Sequence, residues 1–133
     1  MGSFADTEED RVLDHIFGVA AYTAESNLYV ALCTSTVLDS DTADGVTGEV
    51  SGGAYVRHKC NTWETAVDGS LTNAIVLTFE QATADWGTIT HFAVCDHSST
   101  GAMIIHGAVN TAKNIGSGDT AKYATNSIKV ELD

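Results

Sequence analysis

Residues 127–132, SIKVEL, alternate Ile128, Val130 and Leu132 with Lys129 and Glu131, so one side of the run is apolar and the other charged. A period of two belongs to an extended strand with one dry and one wet face. Further back, Leu28–Thr34 (LYVALCT) and Ile89–Cys95 (ITHFAVC) are apolar at both parities, as expected of strands covered on both sides. A turn at Ser98–Gly101 leads from the second of these into Ala102–Val109, where Met103, Ile105 and Val109 line one side, and this predicts a hairpin. Residues 53–63 and Ala74–Phe79 supply two more extended runs, the latter with Ile75, Leu77 and Phe79 on one face. The Asp68–Gly69 turn between them predicts an antiparallel pair. The class expected is all-β: an antiparallel β-sandwich or jelly-roll-like barrel of about 6–8 strands.

Ahead of the strands lies a different pattern. Thr7 followed by Glu8, Glu9 and Asp10 predicts a short helix over residues 7–17 with Thr7 as its cap, its acids complementing the positive end of the helix dipole. Val12, Leu13, Ile16 and Phe17 fall at helical spacing and form an apolar stripe that must cover something, and Gly18 is the expected stop. Residues 1–26 are therefore expected to be an amino-terminal segment, packed on the body or used as an arm, and residues 27–133 the strand domain. Residues 35–51 (STVLDSDTADGVTGEVS) are polar, acidic and without helical periodicity, which predicts an exposed excursion.

The 133 residues suit one domain, burying roughly two-thirds of the surface of the unfolded chain. Eighteen acids against six Lys and Arg give a net charge of −12, which excludes a phosphate-binding surface and nucleic acid as partner. A mean hydropathy of +0.01 and the lack of a long apolar run argue against a membrane partner. The opening MGSFADTEED shows no secretory signal pattern, which predicts cytosolic synthesis. Cys33, Cys60 and Cys95, an odd set without CxxC spacing, read as small buried hydrophobes.

The candidate chemistry is thin. Asp39, Asp41, Asp44 and Glu49 are the strongest acidic cluster and the weak candidates for a metal site, but a calcium loop would need other residues where Ala43, Asp44 and Val50 stand. His91, Cys95, His97 and His106 invite zinc. His91 and Cys95 would share a strand face, yet no second ligand pair has the required spacing. No GxSxG elbow marks a nucleophile, and Gly52–Gly53 lacks the helix and lysine of a phosphate loop, so it reads as a flexible approach to a strand. The expectation is no catalytic residue, no metal and no cofactor.

The segments LYVALCTS (28–35), GEVSGGAYVRHKC (48–60), TFEQATADWGTITHFAVCD (78–96), GAVNTAKNIGSGDT (107–120) and IKVELD (128–133) together resemble a family of small tailed-bacteriophage virion proteins, labelled tail fibre proteins or grouped with capsid decoration proteins. The resemblance implies a structural protein made in the host cytoplasm and located in the virion. The first expectation is a capsid decoration (cement) protein that stabilises the assembled head as a homotrimer, with the major capsid protein or other virion proteins as partners. The alternative is a tail fibre or adaptor module in host recognition or tail assembly. A distant alternative, a metal-dependent hydrolase, rests on the His/Cys grouping alone. The contact residues expected are Val12, Leu13, Ile16 and Phe17 of the stripe and Asp39, Asp41 and Asp44 of the excursion. The excursion is longer and more acidic than the family pattern, and its lack of aromatic side chains speaks against a sugar site there. Trp86, beside Gly87, is read as a core plug.

Overall fold

The computed structural model describes residues 3–132; Met1, Gly2 and Asp133, at the outer ends of the two expected segments, lie outside the described residues. The chain is mainly β, as expected. Its elements are β1 (Ser3–Phe4), α1 (Asp6–Ile16), β2 (Tyr29–Cys33), β3 (His58–Lys59), β4 (Ser70–Thr72), β5 (Leu77–Gln81), β6 (Gly87–Cys95), β7 (Met103–Ile115), β8 (Thr120–Tyr123) and β9 (Lys129–Glu131). A five-stranded antiparallel sheet runs in the order β1-β7-β6-β2-β3, and two ribbons, β4 with β9 and β5 with β8, complete the body.

The two-faced runs sort by side-chain size. Val30 and Leu32 of β2, Phe92 and Val94 of β6 and Ile105 of β7 point into the principal core, where they meet Leu77, Phe79, Ala121, Tyr123 and Ile128 from the ribbon side. The opposite face carries Ala31, Cys33, Ala93 and Cys95, with Met103 at its margin. Ala31 and Ala93 stand directly across from each other. Small side chains leave room for a thin cover, which here is irregular chain: Ala5, Val37, Ala43 and Val46 fill it. All three cysteines are buried and free, in line with their reading as small hydrophobes.

Several expectations need correction. The helix begins at Asp6, with Ala5 at the cap position and no side-chain cap bond, so Thr7 is a first-turn residue. The excursion is not simply exposed, because Val37, Ala43, Val46 and Val50 are buried. Residues 53–63 are not one strand. Gly52, Gly53 and Ala54 all have positive φ, and only His58–Lys59 pair in the sheet. Nor is Gly53 a flexible approach: its carbonyl accepts Trp86 Nε1 at 2.9 Å and the Thr83 amide at 3.0 Å.

The Asp68–Gly69 turn forms as read, with φ of 50° and 75° and paired bonds between Val67 and Ser70. The antiparallel contact beyond it is confined to a bridge at Trp63 and Asn73, and β5 pairs with β8 instead of with residues 53–63. Asn73 explains this change of partner. Buried completely, it donates to the carbonyls of Ile75 and Ala124 and accepts from the amides of Ser127 and Ile128, so the returning chain is fastened to the start of β5. The β6–β7 hairpin forms as expected but is longer. Ile89 pairs with Lys113 and His91 with Ala108, so β7 places several extra residues opposite Thr90. Across this irregularity Ile89 and Phe92 both face the principal core.

Candidate docking surface

The helix α1 is held to the molecule by its polar side. Glu8 is fully buried; Arg11 Nη1 donates to it, and Tyr22 Oη donates to its other oxygen at 2.9 Å. Arg11 also reaches Glu25 at 3.0 Å and the Thr23 carbonyl at 3.2 Å, while its guanidinium lies over the Tyr22 ring. The chain after the helix is thereby folded back along it. Burial, then the bond to the Glu8 carboxylate, pushes the Tyr22 phenol up to about 12, which keeps it a donor. At the start of the helix, Ala5 sits in the second core, and the Asp6 amide donates to the Asp39 carbonyl at 3.0 Å.

Because the polar side faces inward, the apolar stripe faces out. Leu13 is 53% exposed, Ile16 67% and Phe17 77%, with Val19 beside them at 74%, while Val12 is half-buried. The expectation that the stripe covers part of the body is therefore not met within this chain. Phe17 closes the helix and Gly18 follows in the left-handed region at φ 73°, the predicted stop.

The acids of the excursion do separate jobs. Asp39 accepts from His106 Nε2 at 2.6 Å. Asp41 accepts from the amides of Thr47 and Leu38 and from the Thr47 hydroxyl, so it is occupied in shaping the loop. Glu49 takes a bidentate bond from Arg57, at 2.7 Å to each oxygen, and a third bond from Tyr55 Oη at 3.0 Å. Burial works against the Arg57 charge, but its bonds to Glu49 more than offset this and raise its pKa. Asp44 is exposed. Of the expected contact residues, Leu13, Ile16, Phe17, Asp39 and Asp44 are exposed and Val12 is half-buried, whereas Asp41 is turned inward to its loop.

His91 and Cys95 share a sheet face as read, but each goes its own way. Burial, then the neighbouring His106, lowers the pKa of His91. Burial pushes the thiols of Cys33 and Cys95 up to about 12, so neither is a ready nucleophile. His97 receives the amides of Ser99 and Thr100 in the hairpin turn. Among the described residues no three His, Cys, Asp or Glu side chains converge as a metal would require. Trp86 is a core plug, edge-on to Tyr55 with centroids 5.3 Å apart. Trp63 lines an apolar groove of about 270 Å³ with Phe4, Leu28, Leu71, Val94 and Val130. Sequence reasoning missed Arg57 and Asn73; the amide at the edge of the apolar run Ala74–Leu77 was an available signal for Asn73, whereas Arg57, followed by His58 and Lys59, offered none.

Residues 3–131 match the family described as podophage GP4 fiber I protein gp80. The chain belongs to this family. Its members are phage fibre proteins, so the resemblance to tailed-phage virion proteins holds over almost the whole chain, and the chain is a virion component of structural type. The family description favours a fibre over a capsid decoration. No curated protein matches the chain. Among the described residues no helix is long and apolar enough to cross a membrane.

Proposed function

We propose that the chain is a structural subunit of a phage tail fibre or its attachment, joined to the neighbouring component through the amino-terminal helix while the strand body forms the outer surface. The observation that carries this reading is the outward stripe of Leu13, Ile16 and Phe17 in a chain of a fibre family. Large exposed apolar side chains in a contiguous row lose solvent contact when a partner covers them. The body supplies a stiff mount, since the five-stranded sheet has cores on both faces.

Electron microscopy of particles labelled with an antibody against the chain, combined with copy counting by mass spectrometry, tests the assignment. Label at the tail with few copies per particle is the expected result. Label over the head, with copies matching the shell lattice, would move the chain to the decoration role and to the trimeric packing expected with it.

A further inference from the structure

We infer that the outer face of α1 docks into an apolar groove rimmed by Lys or Arg on a different virion protein, and that a second copy of this chain is not its occupant. The inference rests on the fibre reading above and names the chemistry of the partner.

The face has two parts in line. Asp6, Glu9 and Asp10 precede Leu13, Ile16 and Phe17 at steps of three and four residues, so all six share one side of the helix, and all six are exposed. The amino-terminal turns of that side are acidic and the carboxy-terminal turn is apolar. A complementary surface therefore seats three apolar side chains and, about two turns away, sets cations opposite three carboxylates. Helix-in-groove recognition works in this way, with apolar anchors supplying burial and flanking charges supplying register and approach rate.

The chain cannot offer that surface to itself. Its six Lys and Arg all lie within the described residues, and most are engaged. Arg11 holds Glu8 and Glu25, Arg57 holds Glu49, and Lys129 pairs with Glu131. Lys113 sits over the Tyr123 ring and donates to the Lys122 carbonyl. Lys59 on β3 and Lys122 on β8 remain, on different sheets. The chain's own apolar groove has the character to accept Leu13 or Phe17, but no Lys, Arg or His lines it. A copy docked there would bring the acidic turns to a molecule of net charge −12, with no cation in the groove itself.

The test places a photoreactive benzoylphenylalanine at Phe17 of the full chain and irradiates intact particles. The expected product joins the chain to another virion protein, at a segment where apolar residues lie beside Lys or Arg. Cross-links to a second copy would overturn the inference, and so would particles that contain the chain but give no cross-link from this position. Particles that lack the chain altogether would instead remove the fibre reading on which the inference stands. An independent arm uses Glu9→Lys/Asp10→Lys: copies retained per particle fall about tenfold while the circular dichroism spectrum is unchanged. Undiminished incorporation would show that the acids take no part.

Discussion

Arg57 shows how much one side chain can organise. Besides the two bonds to Glu49, its Nη2 donates to the Ala43 carbonyl at 2.7 Å and its Nη1 to the His97 carbonyl at 3.1 Å. One guanidinium thus fastens residues 43–49 and the β6–β7 turn to the strand-poor stretch that carries it. Tyr55 continues the network by donating to Glu49 and accepting the Leu32 amide at 3.0 Å. Removing the cation leaves a largely buried carboxylate with the phenol as its remaining side-chain partner. Arg57→Ala is expected to cost about 3–5 kcal/mol, measured as a lower urea midpoint at unchanged slope. The double variant Arg57→Met/Glu49→Leu should cost clearly less than the two single changes summed, because neither charge is then stranded. A loss below about 1 kcal/mol for Arg57→Ala would show the clamp to be peripheral to folding.

The elements differ in how far sequence alone could find them. β6 and β7 were readable because their patterns follow from local sterics and from the layers they touch; around β9 the alternation holds at Ile128, buried, and Lys129, exposed, but fails at Leu132, which is 45% exposed where an inward side chain was expected. The Asp68–Gly69 turn was readable for a backbone reason, since both positions need positive φ. The excursion of residues 35–51 was not. Its composition is that of a loop, and the sites that bury Val37 and Val46 are completed by Ala93 and Cys95, far away in sequence. The stripe on α1 was read correctly as a stripe, but its direction depends on Tyr22 and Glu25 holding the opposite side of the helix, which spacing within the helix cannot reveal. If the excursion is a true second cover, Val37→Ala should destabilise the fold by about 2 kcal/mol, like a core truncation, when followed by urea unfolding. A change within about 0.5 kcal/mol, typical of exposed positions, would return the excursion to the status of a loose surface loop.

Charge acts on the molecule as a unit. With eighteen acids and six Lys and Arg, repulsion between carboxylates opposes the compact state, and few of the exposed cations are placed to relieve it. The pairs that contribute most are shielded from salt: Arg57 has a side-chain exposure of 4% and Glu49 of 17%. Lys129 with Glu131 is open to water and adds little. Raising ionic strength should therefore screen the repulsion more than the attraction, and the isolated chain should melt several degrees higher in about 0.5 M sodium chloride than in about 0.02 M. Docking of α1 has the opposite sign, because its acidic turns meet cations across a solvent-exposed rim, and screening weakens that attraction. The same salt series run on particles carrying the Phe17 cross-linker should therefore lower the cross-link yield while calorimetry records a rising Tm for the free chain. A Tm that falls with salt would mean that attractive surface pairs outweigh repulsion in the fold. A cross-link yield that rises with salt would mean that the apolar side chains dock without help from the acids beside them.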